Sequence, residues 1–261
     1  MENNEKPGVV LVHGAWHTPA HYSNVKEVLE SQGYQVEAPQ SPSSSTVAVE
    51  SPLAKDVDMI LKSIEKIAST GKNVVIVMHS YGGVCGSEAV AEFMEKHKAH
   101  ADNQYGTIIH LLYICAIILP KGRHLMEDEN TAHVLYIDEN GLAHNLEPYH
   151  RFYNTTPLDQ AYKAMQLLKG QAIESFATKT QWRGWADYDI PVTYLAAKQD
   201  RALVYDPDLL KFSTRLKEAG VRDLATPVLD CDHTPWISAA SDFMAILESV
   251  LKKSVPSSVA W

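Results

Sequence analysis

The run Val74-Val75-Ile76-Val77 passes directly into Met78-His79-Ser80-Tyr81-Gly82-Gly83, and no other junction constrains the fold of this chain more. A run so uniformly apolar and β-branched predicts a strand buried on both faces, the setting of a parallel sheet. The small residues after it predict a strained turn that lifts the Ser80 hydroxyl above the sheet, with a helix starting behind it. The positive end of that helix would stabilise negative charge developing near the serine.

Further strands are expected at Val9–Val12, Tyr34–Glu37, Ile108–Ala116, Val192–Ala196 and Asp223–Leu229. Helices are expected at Tyr22–Gln32, Leu53–Ser69, Val84–His97, Leu209–Ala219 and Ser238–Lys252, several of them closed by a glycine. This alternation predicts an α/β fold with a doubly wound, mostly parallel sheet. Between about Pro120 and Ile190 it fails, and the segment becomes rich in aromatic and helix-forming residues. That divides the chain into a core, residues 1–120 and 188–261, and an inserted helical cap or lid, residues 121–187. Ser254–Trp261 reads as a loose tail.

The strand Val9–Val12 ends in His13-Gly14-Ala15-Trp16, and a late Asp232-His233-Thr234-Pro235 follows another strand-like segment. The chain order is oxyanion loop, serine, acid, histidine, which is that of the α/β-hydrolase fold. The segment Val9–Ser31, the elbow MHSYGG and the tail DCDHTPWIS resemble the methylesterase and hydroxynitrile-lyase branch of the α/β-hydrolases over most of the chain. One departure stands out. Elbows of this family usually begin with glycine, whereas Met78 must find room between strand and helix, which leaves a reshaped elbow and a specialised reaction open.

The resemblance and the element order together suggest roles. Ser80 is the candidate nucleophile, and a serine hydroxyl needs a base, for which His233 on the loop after the last strand is the candidate. Asp200, after the strand Val192–Ala196, is the candidate orienter of that imidazole; Asp206, Asp208, Glu127 and Asp128 are its rivals. The amides of Ala15 and Tyr81 are the expected oxyanion donors. His79 reads as an elbow residue rather than a base, because neighbours on an elbow diverge. Trp16, Tyr136, Phe152, Trp182 and Trp185 are candidates to line a substrate pocket under the cap, against the plainer reading that they pack it onto the sheet.

His13, His17 and His21 recur every four residues, but Thr18-Pro19 interrupts any helix through them, so no metal site is expected. No G-x-G-x-x-G pattern opens a helix either, and cofactor-free chemistry is expected. The formal net charge of −9, without a Lys/Arg cluster, argues against nucleic acid. Ile108–Leu119 is too short to span a membrane. Three cysteines and a polar N-terminus without a secretory core predict a cytoplasmic protein. Relatives in the resembled branch are often dimers, which implies a homodimer.

Three function classes follow. The first is a serine hydrolase acting on an ester, lactone or thioester of a small apolar, aromatic or secondary-metabolite substrate through an acyl-enzyme. The second is a cofactor-free lyase, cyclase or isomerase using the same residues for proton transfer. Hydroxynitrile lyases of this branch carry a threonine in the oxyanion-side motif and a lysine after the histidine; His13-Gly14 and Thr234 stand there instead, so cyanohydrin cleavage is not expected. The third is a ligand-binding receptor that has kept the fold.

Overall fold

The computed structural model describes residues 6–98, 105–128, 135–221 and 223–254. Most of the tail expected after Ser254 lies outside these residues. Along the chain the strands are β1 (Gly8–Val12), β2 (Val36–Glu37), β3 (Ser44–Ser45), β4 (Val74–His79), β5 (Ile108–Ile114), β6 (Leu135–Ile137), β7 (Leu142–Asn145), β8 (Gly170–Ala172), β9 (Val192–Ala197) and β10 (Val228–Leu229). The helices are α1 (Ser23–Ser31), α2 (Pro52–Ala68), α3 (Gly82–His97), α4 (Leu125–Asp128), α5 (Pro148–Phe152), α6 (Leu158–Met165), α7 (Glu174–Ala177), α8 (Leu210–Glu218), α9 (Pro235–Ser238) and α10 (Ala240–Lys253).

The central sheet has the order β10-β9-β5-β4-β1-β2 with every pairing parallel. Strands β1, β4 and β9 are buried throughout and β5 everywhere but at Ile109, because helices and insert remove both faces from water. The chain winds from β1 out to β2 and then returns to β4 on the other side of β1, so the direction of winding switches between β1 and β4. The crevice beyond the carboxyl ends of such a pair is where open α/β sheets bind ligands. Val12 pairs with Met78, so the loop after β1 emerges alongside the turn after β4.

The last core strand is shorter than Asp223–Leu229: only Val228–Leu229 pairs as a strand, with one bridge from Ala225 to Thr193. Its alternating polar residues and edge position leave little to bury. The segment expected as a helical cap does contain α4 to α7, but it also builds an antiparallel sheet of order β3-β8-β7-β6. Strand β3 of that sheet comes from the core, ahead of α2. A small apolar cluster of Phe152, Tyr153, Ala161 and Ala164 packs against Trp16 and Ile237, while Phe176 and Trp185 belong to the main core. Among the described residues no helix is long and apolar enough to cross a membrane.

Candidate active site

Ser80 adopts φ of 54°, a left-handed conformation that a non-glycine residue takes only where the surroundings hold it. Glycines around it supply the closeness this requires. A Cβ on Gly82 would lie 2.8 Å from the Val12 carbonyl, and one on Gly14 2.8 Å from Ser80 Cβ. The room Met78 needs comes from the helix. A Cβ on Gly86, in the second turn of α3, would lie 2.6 Å from Met78 Sδ, so the bare helix backbone at that position makes space for the methionine side chain.

His233 and Asp200 are both buried, and Nδ1 of the imidazole lies 2.7 Å from Oδ2 of the carboxylate. The other carboxylate oxygen accepts the amides of Ala202 and Leu203 at 2.8 and 2.9 Å, which fixes the loop after β9. Asp208, one of the rivals, accepts the Val204 amide, and the side chain of Asp128 lies outside the described residues. Cys115 Sγ sits within 4.8 Å of the ligating atoms of this pair, the one such grouping among the described residues. Burial, then the Asp200 charge, pushes its thiol well above the usual range, so it is a neutral filler beside a pair already joined by a hydrogen bond.

Ser80, Ala15, Tyr81, Trp16 and Phe152 line one narrow cavity, about 40 Å³ in volume, between the sheet and the insert. Phe152 also faces His233, with ring centroids 5.7 Å apart. Among the described residues Ser80 Oγ has no hydrogen-bond partner, and the amides of Ala15 and Tyr81 donate to none of them. The other aromatic candidates lie elsewhere. Tyr136 is more than half exposed on β6. Trp182 packs under Lys121, and Trp185 donates Nε1–H to the Leu119 carbonyl. Phe176, another aromatic residue of the insert, lines the cavity and packs edge-on against both Trp16 and Tyr81.

The loop after β1 is held by histidines that stay neutral. His17 donates from Nδ1 to the Ala15 carbonyl and accepts the Tyr153 hydroxyl at Nε2. His13 donates to the Gly14 carbonyl and accepts the Ser41 amide; His21 donates to the Ala164 carbonyl and accepts the Thr18 amide. Each ring thus uses both nitrogens in one neutral tautomer. Burial lowers His13 and His21 to about 4, and drives His17 and His79 well below the usual value. His79 donates from Nε2 to the His233 carbonyl, so the elbow holds the backbone of the candidate base.

Two polar residues tie the insert to this site, and sequence reasoning missed both. Gln171 accepts the Trp16 amide and the Ser44 hydroxyl, and donates to Ser43 and Ser175. Ser43 and the Tyr81 hydroxyl in turn converge on the buried carboxylate of Asp56, which burial raises to about 6. Asp232 accepts amides and hydroxyls from Thr155 and Thr156 of the insert and from Thr234, together with the Ser238 hydroxyl. The Thr155-Thr156 pair after α5 carried the only readable cue, since neighbouring Ser/Thr residues commonly bind a nearby carboxylate or backbone group.

A model of the alpha/beta hydrolase family matches residues 9–246. The alpha/beta hydrolase nvfD of Aspergillus novofumigatus is 31% identical over 241 residues, covering 89% of this chain and 92% of that protein. Among solved structures, polyneuridine aldehyde esterase superposes with a TM-score of 0.69 at 15% identity, covering 94% of this chain and 99% of its own. The methylesterase MES16 from Arabidopsis does so at 0.68 and 16%, covering 95% and 99%. At such identities these two likenesses concern the fold.

Proposed function

The chain belongs to the alpha/beta hydrolase family, and on that premise we propose that it is a serine hydrolase of a small-molecule ester, lactone or thioester. One observation carries the reading: a non-glycine residue, Ser80, holds a left-handed backbone at the turn between β4 and α3, while Phe152 joins its cavity to the buried Asp200–His233 pair. Trp16, Ser51, Cys115 and Asp223 share this left-handed backbone, but of the five only Ser80 and Trp16 line the cavity, and strain of this kind clusters at functional sites.

In this proposal Ser80 Oγ attacks the acyl carbon as His233 takes its proton, and Asp200 stabilises the imidazolium that forms. The Ala15 and Tyr81 amides donate hydrogen bonds to the oxyanion. His233 returns the proton to the leaving alcohol or thiol, and a water attacks the acyl-enzyme by the same route in reverse. Every group used belongs to the chain itself. The Ser80–His233 hydrogen bond forms with the substrate, as catalytic contacts commonly tighten on binding. A cavity of about 40 Å³ has room for little more than water, so substrate entry parts the insert from the core.

The test is a serine-directed fluorophosphonate followed by intact-mass analysis. A single adduct in the native protein, lost in Ser80→Ala, is expected, together with a fall in ester turnover of about 10⁴-fold or more. An adduct that survives the substitution, or none on folded protein, removes the hydrolase reading.

A further inference from the structure

The cavity beside Ser80 is apolar on most of its wall, with Trp16, Ile117, Leu125, Phe152 and Phe176 among its lining, yet it also contains Arg151 of α5. This guanidinium is only partly satisfied. Nη2 donates to the Ala202 carbonyl at 3.0 Å, whereas Nε is buried without a partner among the described residues. No described carboxylate lies within ion-pairing distance of it. The acidic groups that act on it from further off are Asp200, Glu147 and Asp208. Asp200 is already engaged by His233 and two amides, and Asp208 by the Val204 amide. Arg151 is half-buried, its guanidinium keeps its charge, and a buried N–H of that group left without an acceptor is costly.

We propose that Arg151 receives an anionic oxygen group of the substrate, in the simplest case a carboxylate, so that the enzyme acts on acidic acyl compounds with an apolar body between the acyl carbon and the negative end. The proposal deepens the hydrolase reading and rests on it for the identity of the reacting end. A planar guanidinium suits a carboxylate because two parallel N–H donors match its two oxygens.

The test compares the 4-nitrophenyl monoester of hexanedioic acid with neutral 4-nitrophenyl hexanoate on the native enzyme, Arg151→Gln and Arg151→Lys. The acidic ester is expected to lose about tenfold or more in kcat/KM in Arg151→Gln, mainly through KM, with partial retention in Arg151→Lys. The neutral ester should change by less than about threefold. Equal losses on both esters overturn the proposal and leave Arg151 as an anchor for the Ala202 loop. Calorimetric binding of hexanedioate and of its diamide to Ser80→Ala gives a readout without turnover. Tighter binding of the dicarboxylate, abolished by adding Arg151→Gln, supports the anion site even where neither ester is cleaved, in which case only the hydrolase reading fails. Equal binding of both compounds sinks the anion site even where both esters are cleaved.

Discussion

The two walls of the Ser80 cavity are held by different forces. The lower wall, from β1, β4 and α3, is close-packed and apolar, with glycines where backbones meet and a methionine filling the gap beside Gly86. The upper wall, the insert, sends Phe176 and Trp185 into the main core and has a small apolar cluster of its own; the rest of its attachment is hydrogen bonding through Asp232, Gln171 and Trp16, which donates Nε1–H to the Ala143 carbonyl and accepts the Lys169 amide. Close packing fixes position in every direction, whereas hydrogen bonds can be exchanged for water one at a time. The difference teaches that one wall, locked by shape, holds the strained Ser80 backbone, while the other owes much of its attachment to polar contacts.

Breaking the upper wall should have the largest effect on stability. Asp232→Ala leaves the buried donors of Thr155, Thr156 and Thr234 without an acceptor, and a loss on the order of 3 kcal/mol is expected in urea unfolding. Esterase activity should fall further than stability alone explains, because the same carboxylate braces the residue next to His233. Wild-type activity in a destabilised Asp232→Ala would show that the insert is not needed to position the histidine.

Acid tests the loop after β1, which His21 ties to the insert through the Ala164 carbonyl. His13 and His21 titrate at about 4 in the folded chain against 6.5 when unfolded, so between those values the unfolded chain binds more protons. Their contribution is complete above about pH 6.5 and is lost as pH falls toward 4, on the order of 3 kcal/mol each. Asp56 runs the other way: its folded value of about 6 exceeds 3.8, so it stabilises most at low pH and loses that contribution as pH rises through 6. The histidines outnumber it, and thermal unfolding at pH 4.5 should come well below that at pH 7. An unchanged melting temperature would mean that these rings are not held neutral.

The lower wall gives the smallest and sharpest effect. Gly86→Ala should destabilise by about 1–3 kcal/mol through overpacking against Met78, and Met78→Ala in the same chain should recover most of the loss. Additive effects in the double variant would separate the two residues.

Much of the lower wall could be read in the sequence and little of the upper. Continuous apolar runs located β1, β4 and β9 to within a residue or so, and loop order brought forward Asp200 and His233, which the fold joins by a hydrogen bond. The insert's strands are two to four residues long and partly polar, and Ser44 finds Gln171 across a long stretch of chain, so no local periodicity announces them. Asn140-Gly141, at the turn between β6 and β7, was the one local hint of a hairpin. Aromatic composition drew attention to Tyr136, Trp182 and Trp185 alongside Phe152, but composition carries no information about the direction in which a ring points.

The Met78–Gly86 contact also makes the two positions interdependent. A Cβ at position 86 would lie 2.6 Å from Met78 Sδ and 2.8 Å from its Cγ, so the flexible thioether would have to swing aside, whereas a glycine at position 78 would leave a gap in the core. The shape of the elbow in this chain is therefore set by two side-chain positions at once, one on the strand and one on the helix.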